Sequence, residues 1–302
     1  MLPNQLAFVM LKLLGGHMTP HPARPDPLPR TEPTARVEAS SSRGIAQAAA
    51  SFAESRKRSV AVRSLRGPAL SVGINENVQR PGASLLKLPL AMTLYDLAGA
   101  GHITLNMTVK RKDIESSRYP SILQVFDNSH AFLLSELCGI MLATSDNPSA
   151  QYILDLVGFP RVNTFLESRQ CSDTRMAVGF HDYELDSPLA RSSYSSAHDM
   201  AVLLRIAYSE AKYAPLLGFL TNGLRKSRVP LLLPEDLPIA NKTGSIDGVV
   251  NDAAIIYGKD YDLSIAILTD AEENGPQTEH EIAGFAATVW ESLGERLEEL
   301  KE

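Results

Sequence analysis

The chain has few of the residues that hold disulfide-rich or metal-bound proteins together. Its 302 residues include only two cysteines, Cys138 and Cys171, so at most one disulfide can form. Neither cysteine has neighbours at a metal-site spacing, and the seven histidines form no ligand cluster. The sequence therefore predicts no metal and no other cofactor.

An excess of positive charge is also missing, as is a long apolar run. The 29 Lys and Arg residues are outnumbered by 35 Asp and Glu, and this net charge of −6 argues against a nucleic-acid partner. The apolar stretch at residues 6–14 is interrupted by Lys12 and is too short to span a bilayer. With 44% hydrophobic residues, the composition fits a soluble enzyme with a large core, which we expect to be a monomer.

Proline is concentrated near the N-terminus. The stretch from Thr19 to Gly44 is rich in Pro, Arg, Glu and Ser, which predicts that residues 1–43 form an N-terminal segment and an extended, largely disordered tether. Residues 44–302 would then form one catalytic globule without internal repeats. Such a tether suits an exported domain, periplasmic or secreted. A cytoplasmic protein whose start codon was placed too early is the alternative.

The first motif that carries chemistry is Ser-x-x-Lys, formed by Ser84 and Lys87. A serine hydroxyl is a poor nucleophile until a base takes its proton, and a lysine can do so only where its ammonium is destabilised. On a helix these side chains share one face, and the leucines around them would desolvate the amine. The preceding loop, residues 80–83, predicts that the Ser84 N–H forms half of an oxyanion hole at the helix start. An N-cap serine followed by a surface lysine is the competing interpretation.

The second motif is Ser145-Asp146-Asn147. It follows the apolar run at residues 138–143 and precedes Pro148, a residue favoured at the first position of a helix. Taken alone, the tripeptide therefore predicts a capping turn between two helices.

The third motif is Lys242-Thr243-Gly244, followed by Ser245. It continues an extended run and leads through Asp247-Gly248 into Val249, which predicts the first strand of a hairpin. Gly244 would let the backbone approach a ligand closely. A Lys-Thr-Gly turn between strands is the ordinary alternative.

The three motifs, in this order and at these spacings, resemble those of active-site serine enzymes, the class A β-lactamases and penicillin-binding proteins. The resemblance covers roughly residues 44–302. It implies an α+β fold, with an antiparallel sheet built from both chain ends, flanking helices and an all-helical subdomain inserted at about residues 80–218. Periodicity by itself supports only the α+β class. The implied activity is a serine hydrolase that forms an acyl-enzyme through Ser84 on a small-molecule β-lactam or an acyl-peptide.

The resemblance also implies roles for the other motif residues. Ser145 would relay a proton to the leaving nitrogen, and Asn147 would hold a substrate carbonyl. Lys242 and Thr243 would meet a substrate carboxylate, and Lys242 would help to keep the first lysine neutral. The N–H of Ser245 would complete the oxyanion hole.

Two further positions fit the same family. Arg228 resembles the arginine that some class A enzymes place behind the Lys-Thr-Gly strand to bind the substrate carboxylate. Tyr119 stands where the family often has an aromatic residue at the cleft entrance. A solvated arginine and a plain loop tyrosine are the alternatives.

The chain departs from the family in the loop that serves deacylation. Class A β-lactamases carry Glu-x-x-Leu-Asn there, whereas this chain has Asp182-Tyr183-Glu184-Leu185-Asp186. Aspartate is one methylene shorter than glutamate, and a displacement of about 1 Å can cost on the order of 10²-fold in rate. Either Asp182 or Glu184 activates the water, or neither does. Three functions stay open: a β-lactamase, a cell-wall peptidase or esterase, and a β-lactam or peptidoglycan sensor that stays acylated.

Overall fold

The computed structural model describes residues 39–55, 57–117, 119–180 and 191–294. Within them, a five-stranded antiparallel sheet combines strands from both ends of the chain. Its strands are β1 (Arg58–Arg66), β2 (Ser71–Ile74), β7 (Ile239–Ile246), β8 (Val249–Tyr257) and β9 (Asp262–Thr269), in the order β2-β1-β9-β8-β7. This confirms the predicted α+β architecture.

The central strands are buried on both faces, so they read as continuous apolar runs rather than alternating ones. Every residue of β9 is buried, and Val60, Ala61 and Val62 of β1 are fully buried. β7 and β8 form the predicted hairpin, with Ile246 paired to Val249. Gly248 permits this tight turn because its φ of +67° is unfavourable for other residues.

Helices α1 (Ala39–Phe52) and α8 (Gly275–Glu291) cover one face of the sheet. Ile45 of α1 and Trp290 of α8 belong to the same buried cluster, and the rings of Phe52 and Phe285 stack at 5.0 Å. Because α1 begins at Ala39, residues 39–43 are helical, although the sequence assigned them to the tether. The last proline of the tether region is Pro33, so nothing prevents the helix from extending this far.

The other face carries the predicted helical subdomain, which shares a second apolar cluster with the sheet. Two short ribbons that the sequence did not predict accompany its helices: β3 (Arg80–Pro81) with β6 (Tyr194–Ser195), and β4 (Thr108–Lys110) with β5 (Ala131–Leu133). The helices are α2 (Lys87–Gly99), α3 (Leu134–Thr144), α4 (Asn147–Val157), α5 (Phe159–Ser168), α6 (Ala197–Ser209) and α7 (Ala214–Thr221). In the described ranges, no helix is both long and apolar enough to cross a bilayer.

Candidate active site

Ser84 lies in a tight turn between the sheet and the helical subdomain. The turn, Ala83–Leu86, is a 3-10 helix that continues directly into α2. The sequence predicted an α-helical start here, and the difference begins at Ala83, whose φ of +46° is in the left-handed region. A 3-10 turn has three residues per turn, so the side chains of Ser84 and Lys87 lie in line. Ser84 and Lys87 therefore lie on one face as predicted, although the turn is a 3-10 helix and not an α-helix.

Lys87 is fully buried, and neighbouring oxygen atoms surround its amine. Its Nζ donates to the carbonyl oxygen of Ser145 and to Oδ1 of Asn147, both at 2.6 Å, and lies 3.3 Å from Oγ of Ser145. The ring of Phe180, another buried residue, lies 4.9 Å from the same nitrogen. The first and second motifs thus meet at one nitrogen atom.

Burial lowers the pKa of Lys87 well below its ordinary value, and the positive charge of Lys242 lowers it further. Asp146 opposes this shift. A neutral lysine amine has two N–H donors and one lone pair. The two contacts at 2.6 Å can use both donors, which leaves the lone pair for a hydroxyl proton. Lys87 is therefore suited to act as a base.

The Ser-Asp-Asn motif is both a capping turn and part of the site. Ser145 ends α3 with a left-handed φ of +62°, and Asp146 caps α4 by accepting from the N–H of Ser149 at 2.9 Å. This turn directs the side chains of Ser145 and Asn147 towards Lys87. Because the Asn147 oxygen accepts from the lysine, its NH₂ group is the part of the amide that can donate to a carbonyl.

The Lys-Thr-Gly strand β7 brings a second lysine to the same serine. Nζ of Lys242, also buried, donates to Oγ of Ser145 and to the carbonyl oxygen of Thr243, both at 2.9 Å. Gly244 lets β7 lie against the turn that carries Ser84, since a Cβ there would come within 3.1 Å of Gly82 O and Leu85 N. Strand and turn thus meet backbone to backbone.

The charge of Lys242 depends on a carboxylate that the sequence analysis did not single out. Burial lowers the pKa of Lys242 to about 7, and the charge of Asp252 opposes that shift. Asp252 is buried in β8, where Asn241 Nδ2 and the N–H of Val229 donate to its carboxylate at 3.0–3.3 Å. Burial in turn raises the pKa of Asp252 to about 6. The signal in the sequence was a lone carboxylate inside the apolar run of residues 249–257.

Arg228 lies behind β7, as the resemblance implied, and is buried. It donates to Oγ of Ser245 at 2.5 Å and to the carbonyl oxygen of Gly244 at 3.0 Å. Glu279 of α8 accepts from its Nε at 3.0 Å. The guanidinium therefore fixes the end of β7, and its predicted contact with a substrate carboxylate stays a prediction.

The remaining predicted residues are placed less fully. Tyr119 is half-buried, and its N–H donates to Ser117 Oγ at 3.1 Å, so its role at the cleft entrance stays a prediction. Asp182 and Glu184 lie outside the described residues. Phe180 is the last described residue before them. Its N–H donates to Gln151 Oε1 at 2.7 Å, and its ring lies beside the amine of Lys87. Over the described ranges, no group of three or more His, Cys, Asp or Glu could hold a metal ion.

This fold and these motif contacts define a class, the β-lactamase-like serine hydrolases. Residues 42–293 match the family model described as the beta-lactamase enzyme family. The chain therefore belongs to that family.

Solved structures with this fold include both β-lactamases and a penicillin-binding protein. A β-lactamase from Sphaerobacter thermophilus has a TM-score of 0.75 at 20% identity, covering 83% of this chain and 97% of the other. One from Chitinophaga pinensis scores 0.73 at 22% identity, with 83% and 98% covered. A mutant of PBP-A in its acyl-enzyme complex with penicillin G scores 0.73 at 19% identity, with 84% and 97% covered. At these identities the likeness shows the fold. No curated protein sequence matches the chain.

Proposed function

We propose that this protein is a serine hydrolase that forms an acyl-enzyme through Ser84 and hydrolyses β-lactams. One observation carries the proposal: Oγ of Ser145 lies 3.3 Å from Nζ of Lys87 and 2.9 Å from Nζ of Lys242. Three motifs that are separate in the sequence therefore share one hydroxyl group. Two buried lysines around a serine have no evident structural purpose, whereas acyl transfer to a carboxylate-bearing substrate needs both a base and a cation.

Acylation follows from these contacts. Neutral Lys87 takes the hydroxyl proton of Ser84 as Oγ bonds to the substrate carbonyl carbon. The N–H groups of Ser84 and Ser245 hold the resulting oxyanion. The proton then passes through Ser145 to the leaving nitrogen as the C–N bond breaks. For a β-lactam the product is a single acyl-enzyme, an ester on Ser84 that still carries the new amine, because the broken C–N bond was part of a ring.

Substrate binding uses the remaining motif groups. Lys242 in its protonated form and the hydroxyl of Thr243 receive the substrate carboxylate, and Arg228 supports them through Ser245. The NH₂ of Asn147 donates to the carbonyl of the acyl side chain. Tyr119 lines the entrance. All these groups come from one chain, so we propose a monomer.

Deacylation requires a water molecule that a carboxylate activates. We assign this to Asp182, which follows Phe180 by two residues, or to Glu184 if the loop register is shifted. Phe180, the last described residue before them, lies beside Lys87. Since β-lactams and cell-wall peptides act outside the cytoplasm, the proposal also favours a periplasmic or secreted protein.

The second candidate is a penicillin-binding protein that acylates and stays acylated, as a sensor or a slow cell-wall peptidase. Aspartate in place of the family's glutamate favours it. The similarity of the fold to PBP-A, whose acyl-enzyme complex with penicillin G is known, is compatible with it.

Nitrocefin turnover and labelling by a fluorescent penicillin separate these functions. A β-lactamase hydrolyses nitrocefin over many turnovers, whereas a sensor takes up one equivalent of the penicillin and then stops. Ser84→Ala is the matched control and should do neither. Wild-type protein that does neither would contradict the proposed acyl-transfer function altogether.

A further inference from the structure

The basic run at residues 225–228 lies beside β7, the strand that carries Lys242, in a protein whose net charge is negative. Two of the basic run at residues 225–228 are engaged in hydrogen bonds. Lys226 donates to the carbonyl oxygens of Ile239 and Thr221 at 3.0 and 3.2 Å, and Arg228 is held behind β7. The side chain of Arg225, by contrast, is exposed.

The backbone of Arg225 is fixed between two of the catalytic motifs. Nδ2 of Asn241, the residue before Lys242, donates to its carbonyl oxygen at 3.0 Å. The preceding N–H, that of Leu224, donates to Ala143 O at 2.9 Å, two residues before Ser145. Arg225 therefore stands at the junction of the strand that carries Lys242 and the turn that carries Ser145.

Its charge acts on the site but contributes no ion pair. The positive charge of Arg225 contributes to lowering the pKa of both Lys87 and Lys242. In the part of the chain that the structure describes, no carboxylate pairs with its guanidinium. The exposed, solvent-screened charge of Arg225 repels the two buried lysines weakly whenever they are protonated, since like charges repel. A bound anion would remove that repulsion.

We propose that Arg225 is a specificity residue that selects substrates with a second anionic group on the leaving-group side of the scissile amide. The inference rests on the proposed function. Lys242 and Thr243 receive the first carboxylate there, and Ser145 protonates the leaving nitrogen, so an exposed guanidinium that extends from this junction can reach the same part of the substrate. Its guanidinium is suited to a sulfonate or carboxylate beyond the first one.

Cefonicid and cefamandole test this directly, because their acyl side chains are the same and their tetrazoles carry N-sulfomethyl and N-methyl respectively. Wild-type protein should be acylated by the sulfonate with a kcat/KM about 3- to 10-fold higher, a preference that weakens as salt screens the charge. Arg225→Gln should bring the ratio close to one. Lys259→Gln, which removes an exposed charge from the turn beyond the Ile239 end of β7, should leave it unchanged.

Calorimetric binding of the same two compounds to Ser84→Ala separates this inference from the proposed function. Ser84→Ala should bind the sulfonate cefonicid more tightly than cefamandole, and adding Arg225→Gln should abolish this difference. That result supports the anion site even if wild-type protein is never acylated. Acylation without any preference, or a preference that survives Arg225→Gln, overturns the role of Arg225 and leaves the serine mechanism standing. If neither compound binds, the inference is wrong as well.

Discussion

At the scale of single residues, the site consists of charged groups in places that do not favour charge. Three of these groups are buried: Lys87, Lys242 and Asp252. Burial lowers the pKa of each lysine and raises the pKa of the aspartate, so in all three it favours the neutral form. Natural proteins accept such costs chiefly where function needs them. In the proposed mechanism the two lysines have different tasks, since Lys87 must be neutral to take a proton and Lys242 charged to bind a carboxylate.

The pH dependence of acylation should report these two tasks. With its pKa well below the ordinary value, Lys87 becomes a neutral base at lower pH than an ordinary lysine does, whereas Lys242 loses its proton as the pH rises through about 7. We therefore expect kcat/KM for a carboxylate-bearing β-lactam to fall on the alkaline side with an apparent pKa near 7. Lys242→Arg, which cannot lose its charge, should move that fall above about pH 9.

Lys226→Arg is the control. Like Lys242, Lys226 has a pKa that burial lowers, but its amine binds backbone carbonyls, including that of Ile239 in β7. Its profile should match that of the wild type. If Lys226→Arg moves the alkaline limb and Lys242→Arg does not, the carboxylate-binding role of Lys242 is wrong.

The shorter carboxylate at Asp182 should limit release of the acyl group. Wild-type protein should show a burst of acylation followed by a slow phase. Asp182→Glu, which restores the missing methylene, should speed the slow phase by about 10- to 100-fold without changing the burst, and Asp182→Asn should slow it. Stopped-flow absorbance with nitrocefin measures both phases. If Glu184→Gln is the change that stalls release, Glu184 is the base, and if neither matters the water comes from elsewhere.

At the scale of elements, the site depends on the contact between β7 and the turn at Ala83–Leu86. Both elements contribute an oxyanion N–H in the proposed mechanism, so their separation sets the size of the oxyanion hole. Gly244 is the residue that permits the contact.

Gly244→Ala should therefore reduce acylation more than stability. Its Cβ would lie 3.1 Å from two backbone atoms of the turn, Gly82 O and Leu85 N, so strand and turn must separate by a few tenths of an ångström. We expect kcat/KM for acylation to fall about 10- to 100-fold, measured by penicillin labelling. Gly284→Ala in α8, where nothing lies within 4 Å, should leave the rate unchanged and stabilise the helix by up to about 1 kcal/mol. Equal rates for the two variants would contradict this geometry.

The elements themselves were largely predictable from the sequence, because each has a strong local signal. The apolar runs of β1, β8 and β9 and the Asp247-Gly248 turn predicted the sheet, and the capping residues around Pro148 predicted where α4 begins. The 3-10 turn at Ser84 was not predictable, since it depends on the left-handed φ of Ala83 and on its packing against Gly244. Contacts between distant segments, such as Phe180 with Lys87, have no local signal at all.

At the scale of the whole molecule, the sheet depends on both ends of the chain. β1 pairs with both β2 and β9, and α1 packs on α8, so helix α1 is part of the core that supports the sheet containing β7. We expect the protein to unfold as one unit, with the site lost when either end detaches.

Ile45→Ala tests this dependence, because Ile45 of α1 is fully buried beneath the sheet. The truncation should reduce the free energy of unfolding by about 2–5 kcal/mol, and penicillin labelling should disappear in the same thermal transition as the circular dichroism signal. Gln47→Ala, an exposed position on the same helix, should change stability by less than about 0.5 kcal/mol. Labelling that survives the loss of α1 would show that the two ends are not coupled.

An intact-mass time course with penicillin G tests most directly whether Ser84 forms the acyl-enzyme with Lys87 as its base. Wild-type protein should gain the mass of one penicillin within the first time points, and proteolysis should locate the adduct on the peptide that contains Ser84. Ser84→Ala should gain nothing while keeping its fold, and Lys87→Ala should gain the adduct far more slowly than Lys242→Arg. An adduct on any other residue, or one that persists in Ser84→Ala, would contradict the account.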